Sequence, residues 1–129
     1  MLPIAVVILG IILLILVDVS YLSRVKSAVY APLSNIMRDV DPIPAVASWV
    51  LIFFGCYYLG AANSSSRNEA ALRGAMFGFF SYGIYNTTNL ATIPALSRHN
   101  EGVLKMAILD TLWGSLLCAG TSAALWSVQ

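Results

Sequence analysis

The stretch GAMFGFFSYGIYNTTNLAT, residues 74–92, decides the fold of this chain. It carries no charged residue, yet hydroxyl and amide side chains recur within an apolar frame that is long enough to cross a bilayer. In a helix, positions separated by steps of three and four residues share one face, and here these are Gly74, Gly78, Tyr82, Tyr85, Asn86 and Asn89. Because a helix surrounded by lipid does not tolerate so many polar groups, this face is predicted to contact protein.

The small residues on that face indicate how the contact is made. The spacing Gly74-x-x-x-Gly78 lets a second helix approach closely, and the polar groups beyond it can hydrogen-bond across the contact. Two interpretations are open: a buried packing helix, or one wall of a polar site. The aromatic and aliphatic side chains of Phe77, Phe80 and Ile84 are predicted to face lipid or a partner chain.

The composition places the whole chain in one class. Of its 129 residues, 59% are hydrophobic and 10% are charged, which is typical of an integral membrane protein. The net charge is +1 and basic residues do not cluster with aromatic ones, so nucleic acid is not an expected partner. Cys56 and Cys118 both lie in apolar runs, without the spacing of a metal site or a disulfide framework, and are predicted to be packing residues.

Apolar runs continue on both sides of the central stretch. They predict one integral membrane domain, residues 1–129, that is an all-α bundle of four transmembrane helices at about 2–23, 43–62, 72–95 and 103–127. The short polar connection before the third helix makes it an antiparallel neighbour of the second. Residues 24–42 carry charges and prolines and are predicted to leave the hydrocarbon, partly as an interfacial turn. The lone histidine, His99, falls in a loop and is predicted to lie at the surface.

Basic residues predict the orientation of the bundle. The connections after the first and third helices contain Arg24, Lys26, Arg38, Arg98 and Lys105, whereas the other side has Arg67 and Arg73. Because basic residues accumulate on the cytoplasmic side, both termini are predicted to be non-cytoplasmic.

Depth within the bilayer brings several polar residues to one level. Counted from the cytoplasmic ends of their helices, Asp18, Asn89 and Asp110 all lie about five or six residues in, which the helical rise converts to roughly 7–10 Å. Ser48 and Trp49 reach the same level on the second helix. The predicted intramembrane cluster consists of Asp18, Tyr85, Asn86, Asn89, Asp110 and Trp113, with Gly114 beside it as a packing residue.

The two carboxyl groups make this cluster unusual. A carboxylate inside a span costs several kcal/mol unless it is paired, solvated or protonated, and no basic residue is placed at the depth of Asp18 or Asp110 to neutralise them. Hydrogen bonds from the neighbouring aromatic and amide groups, a proton shared by the two acids, or a bound cation would satisfy them. Structural, ion-conducting and catalytic roles therefore stay open at this point.

Three motifs carry a resemblance that covers essentially the whole chain. The stretches LVDVSYL, GAMFGFFSYGIYNTTNLAT and LDTLWG resemble, in order and spacing, the predicted membrane protein family catalogued as domain of unknown function 2177. The family's Tyr-Asp-x-Thr-Asn-x-Ala-Thr motif corresponds to Tyr85, Asn86, Thr88, Asn89, Ala91 and Thr92. Its Leu-Asp-x-x-Trp corresponds to Val17, Asp18 and Tyr21, and its Asp-x-x-Trp-Gly to Asp110, Trp113 and Gly114.

This chain departs from the family pattern at two positions. Asn86 stands where the family usually has an acid, and Tyr21 stands where it usually has tryptophan. A chemistry that needs three carboxylates is therefore not expected here. The resemblance implies four helices with a shared polar core and assigns no activity.

Two functions from different classes follow from these observations. The first is a small polytopic membrane protein whose polar cluster binds or passes a proton, a small cation or a polar solute, as a homo-oligomer because 129 residues enclose little volume. The second is an accessory subunit of a larger membrane complex, in which the cluster serves helix packing. The spans contain no histidine and no spaced cysteines, so no enzymatic activity, metal or cofactor is expected. The expected partners are the lipid bilayer and either further copies of the chain or other membrane subunits.

Overall fold

The computed structural model describes residues 2–29, 41–93, 96 and 100–129. Within them the chain forms four α-helices: α1 (Ile4–Val29), α2 (Pro42–Gly55), α3 (Arg67–Thr92) and α4 (Glu101–Val128). A π-helix, Cys56–Ala61, continues directly from α2, and the described residues contain no strand. The all-α, four-helix prediction is confirmed.

Three helical segments are long and apolar enough to cross a membrane. These are Ile4–Val25, Pro42–Ala61 and Glu101–Val128. The helix α3 has 26 residues, enough to cross a membrane, but the hydroxyl and amide groups of its central stretch make it less apolar than the other three. That α3 crosses the membrane therefore stays a prediction. The structure does show that α3 is a helix packed in the bundle.

Capping explains where the helices begin. The Asp41 side chain accepts a hydrogen bond from the Ile43 backbone N–H at 3.0 Å, and prolines occupy the first turn of α2. The Ser66 hydroxyl accepts from the backbone N–H of Glu69, whose carboxylate reaches back to the Ser65 N–H. This reciprocal cap begins α3 at Arg67, five residues before the predicted start.

The other boundaries also differ from the predicted ones by a few residues. The Asn100 side chain caps α4 at Glu101 rather than 103, and α1 continues to Val29 rather than ending at 23. The helix α3 ends at Thr92 rather than 95, because Ile93 precedes a proline and adopts an extended backbone. The predicted interfacial segment, residues 24–42, is helical up to Val29 as the end of α1, and its residues 30–40 lie outside the described residues, as does His99.

The closest helix contact is that between α3 and α4. A Cβ atom on Gly74 would meet the Cys118 carbonyl oxygen and the Ser122 side chain, and one on Gly78 would meet the Gly114 carbonyl oxygen. Gly114 is itself covered by the ring of Tyr82. The glycine spacing therefore brings two backbones together, as small residues do in membrane helix pairs.

The core lies toward the end of the bundle that contains the π-helix. Phe53, Cys56 and Cys118 are fully buried in one apolar cluster, and the Phe53 ring packs on Gly10 of α1. In the π-helix the Ala62 N–H donates to the Tyr57 carbonyl, five residues earlier, at 2.8 Å. Such a widened turn is rare and arises from one extra residue in the helix.

Two of the three side chains predicted to face outward do so. Phe80 is 58% exposed and Ile84 is 65% exposed. Phe77 is half-buried, because its ring covers Gly55 and packs against the buried cluster, and it also lines an open groove on the surface. Most exposed faces are apolar, as on α1 at Ile4, Leu9, Leu13 and Leu16. In a membrane protein these surfaces face lipid or other membrane helices.

Candidate functional site

The carboxylate of Asp18 joins three helices at the end of the bundle opposite the π-helix. Asp18 lies on α1 and is only 7% exposed. The indole N–H of Trp113 on α4 donates to its Oδ1 atom at 2.8 Å, and the indole N–H of Trp49 on α2 donates to its Oδ2 atom at 2.9 Å. Both carboxylate oxygens are therefore hydrogen-bonded, each to a different helix.

An aromatic stack orients one of these indoles. The ring of Tyr21 lies parallel to that of Trp113, with centroids 4.0 Å apart and an angle of 8° between the planes. Tyr21 follows Asp18 by three residues and so lies on the same face of α1. Tyr21 thus supplies a flat ring against the donor of Asp18.

The second carboxyl group, Asp110 on α4, is held by Asn86 on α3. Asn86 is 5% exposed, and its amide nitrogen donates to Asp110 Oδ2 at 2.8 Å and to the Tyr82 carbonyl at 2.9 Å. The Thr111 hydroxyl lies 3.3 Å from the same nitrogen. An amide can donate directly to an ionised carboxylate, whereas two acids in these places would have to share a proton.

The two halves form one site, which we call the acidic site and define as Asp18, Trp49, Asn86, Asp110 and Trp113. Trp113, which donates to Asp18, follows Asp110 by three residues on α4, so the two contacts share one face of that helix. Among the described residues, the ion pair is that of Arg73 with Glu69 at the other end of the bundle, so no base in that part of the chain pairs with Asp18. The described residues also contain no group of three potential metal ligands.

The structure brings together four of the six residues predicted for the cluster: Asp18, Asn86, Asp110 and Trp113. Asn89 is half-buried, and its side chain makes no hydrogen bond to another described residue. Tyr85 is 62% exposed and lies outside the acidic site. One residue corresponds to about 100° around a helix, so burying Asn86 turns Tyr85 away.

The indole of Trp49 belongs to the acidic site but not to the cluster predicted from the sequence. Trp49 had been placed at the depth of Asp18, and its side chain can only donate a hydrogen bond. A hydrogen-bond donor at the depth of a carboxylate that has no base nearby therefore indicates, from sequence alone, that the two side chains can meet. Thr111 gave no such signal, because its hydroxyl also donates to the Ala107 carbonyl of its own helix at 2.8 Å.

The chemistry of the acidic site follows from its donors. Indole N–H groups donate and never accept, so Asp18 accepts on both oxygens, which is the arrangement suited to a carboxylate anion. A carboxylate offers about four acceptor positions, and two of those on Asp18 stay available. The donors of the site therefore suit a negative charge at Asp18.

Comparison with known proteins gives one match. A family model described as "Predicted membrane protein (DUF2177)" matches residues 3–127. No curated protein and no solved structure matches the chain.

Proposed function

The chain belongs to the DUF2177 family of predicted membrane proteins, and from this premise we propose that the acidic site binds or passes a proton, a small cation or a polar cationic solute. The observation that carries the proposal is the buried carboxylate of Asp18, which accepts hydrogen bonds from Trp49 and Trp113. An intramembrane acid is expensive and is by default part of a functional site.

The location of the charge supports this role. Asp18 lies within an apolar segment that is long enough to span a membrane, and it has no base as a partner among the described residues. Neutral side chains would join the same helices without the cost of a buried charge. A buried acid at this position is explained if the site binds a positively charged ligand.

The remaining features of the proposal concern the assembly. The polar face of α3 is covered by α4 through Gly74 and Gly78, which supports α3 as a fourth span inside the bundle. A chain of 129 residues encloses little volume, so we propose a homo-oligomer as the conducting or binding unit. With both termini on the non-cytoplasmic side, the acidic site lies near the cytoplasmic surface. We propose a binding or conducting role rather than an enzymatic one.

A second candidate, an accessory subunit of a larger membrane complex, is favoured by a different observation. Both Asp18 oxygens and the Asn86 amide are already engaged in contacts between helices. Such contacts are also what a purely structural role requires. The two candidates differ in whether the acidic site responds to ions.

Thermal unfolding in detergent tests this difference. The midpoint of the wild-type protein is measured across pH and with small monovalent cations replaced by a bulky organic cation. We expect a shift in the wild type that is lost in Asp18→Asn and in Asp110→Asn, because the amide keeps the shape but removes the charge. Glu101→Gln is the matched control, since Glu101 is an exposed acid in the first turn of α4.

Reconstituted vesicles then separate binding from passage. Flux of protons or monovalent cations that disappears in Asp18→Asn but persists in Glu101→Gln supports conduction. A wild-type ion response in both aspartate variants contradicts the proposal and leaves the accessory subunit.

A further inference from the structure

A groove runs along α3 on the side that faces the π-helix, and its Arg73 end is the end farther from the acidic site. Its volume is about 410 Å³. One wall is a stripe of α3 that consists of Arg73, Met76, Phe80 and Ile84, at helical spacing, and Leu59 of the π-helix forms the other. The groove is open along its length and apolar except at Arg73 and Ser81.

The length of the groove matches one leaflet of a bilayer. From Arg73 to Ile84, the helical rise of 1.5 Å per residue gives roughly 16 Å. The hydrocarbon core of a membrane is about 30 Å thick, so the stripe covers about half of it. Arg73, near the start of α3, then lies at the level of the lipid head groups, and Ile84 near the middle of the membrane.

The arginine at the head of the groove is held in place and keeps hydrogen-bond donors for an anion. Arg73 Nε and Nη2 lie 2.9 and 2.8 Å from one oxygen of Glu69, whose other oxygen accepts from the Ser65 N–H and hydroxyl. A guanidinium has five N–H donors, and those not used by Glu69 can meet a phosphate. The Arg73 side chain is 44% exposed.

A second polar group in the groove is Ser81. The hydroxyls of Thr87 and Thr92, on the same helix, donate to carbonyls one turn earlier. The hydroxyl of Ser81 lines the groove and donates to no other described residue. Ser81 lies about 12 Å below Arg73 by the helical rise, and its small side chain leaves room for an occupant at that depth.

From these observations we propose that the groove seats one acyl chain of an anionic phospholipid, with the lipid phosphate bound by Arg73. The open apolar walls fit an acyl chain, the length fits one leaflet, and the guanidinium complements the phosphate charge. This lipid site is at the opposite end of the bundle from the acidic site and does not depend on the function proposed for it.

Native mass spectrometry of the full chain in detergent tests the proposal. The probes are long-chain phosphatidylglycerol, phosphatidylcholine and a short-chain phosphatidylglycerol with the same head group. We expect the long-chain anionic lipid to bind most tightly. Arg73→Ala should weaken it about tenfold, as loss of a charge-assisted contact does, and Arg67→Ala should not, because Arg67 is an exposed arginine of the same helix outside the groove.

Blocking the groove provides a separate readout. Ser81→Phe fills the channel beneath Arg73, and we expect it to weaken both long-chain lipids while leaving the unfolding midpoint of the lipid-free protein within a few degrees. Equal effects of Arg67→Ala and Arg73→Ala would mean unspecific attraction to basic residues and would overturn the site. So would equal binding of the short-chain and long-chain anionic lipids, or no effect of Ser81→Phe. If Arg73→Ala does not fold, Arg73→Gln replaces it.

Discussion

Tryptophan indoles donate hydrogen bonds at both ends of the bundle, but their acceptors differ. Near the π-helix, Ser122 donates to the Cys56 carbonyl and Trp126 to the Ser64 carbonyl, each at 3.0 Å. At the acidic site, Trp49 and Trp113 donate to the carboxylate of Asp18. The first end therefore joins helices through neutral contacts to backbone, and the second through a buried acid.

This difference separates packing from the need for charge. Trp126 and Trp113 lie on the same helix and make the same kind of N–H donation, but only Trp113 meets a carboxylate. Since backbone carbonyls satisfy an indole and join two segments, packing alone does not call for Asp18. The acid is the feature that the function proposed above has to explain.

The largest expected effect tests whether the α3–α4 contact holds both ends together. In Gly78→Ala the new Cβ meets the backbone carbonyl of Gly114, which cannot rotate away as a side chain can. We expect a loss of about 3 kcal/mol in unfolding free energy, at the upper end for overpacking. Gly120→Ala is the control, because nothing lies within 4 Å of its Cβ. Similar unfolding midpoints for the two variants would mean that the contact is looser than described.

The next effect concerns the charge-assisted contacts of the acidic site. Trp113→Phe and Trp49→Phe each remove one N–H donor from Asp18, and a hydrogen bond to a charged group contributes about 1.5–3 kcal/mol. We expect each variant to lose about 2 kcal/mol in denaturant unfolding. Combining either with Asp18→Asn tests the assignment, because the losses should then be less than additive. Additive losses would mean that the indoles stabilise the bundle by packing alone.

Much of the fold was predictable because the bilayer fixes the length of an apolar helix. The four helices were located from apolar runs alone, but their ends depend on single side chains. Ser66 and Glu69 form a cap that places the start of α3 at Arg67, inside the polar connection that the sequence predicts before residue 72. The π-helix was not foreseen, because one extra residue in a turn leaves the apolar pattern of Cys56–Ala61 unchanged.

The sequence predicts the depth of the candidate site in the membrane, but not which side chains of α3 face it. Counting residues from the helix ends brought Asp18 and Asp110 to one level, and the structure places both at the same end of the bundle. Steps of three and four from Tyr82 lead equally to Tyr85 and Asn86, so the sequence could not choose between them. The structure chooses Asn86, whose amide reaches Asp110, and leaves Tyr85 exposed.

A smaller effect tests the neutral end of the comparison. Ser122→Ala removes a buried hydroxyl that joins α4 to the π-helix, and we expect a loss of about 1 kcal/mol, as for a neutral hydrogen bond. Ser127→Ala is the matched control, since that exposed hydroxyl donates to its own helix. Thermal unfolding of both variants provides the measurement. A loss as large as that of Trp113→Phe would remove the distinction between the two ends.

The smallest effect concerns a carboxylate that has its own base and lies in water. Hydrogen bonds from the Ser65 hydroxyl and N–H, and then from Arg73, lower the pKa of Glu69 from 4.5 to about 2. Because the folded-state pKa is lowered, the stabilisation is present above pH 4.5 and is lost as the pH falls toward 2. Glu69 lies at the surface with about a third of its side chain exposed, so solvent screens these contacts and the effect is small.

Comparing Glu69→Gln with the wild type across pH tests this and sharpens the contrast with the acidic site. The wild-type unfolding midpoint should exceed that of Glu69→Gln near neutral pH, and the gap should close as the pH approaches about 2. Ser65→Ala removes the first of these hydrogen bonds and should narrow the gap. The ion response assigned to Asp18 should survive in Glu69→Gln, because this acid is already paired with Arg73. If Glu69→Gln abolishes that response, the ion acts at the exposed end of the bundle, and the buried charge of Asp18 has a purely structural role.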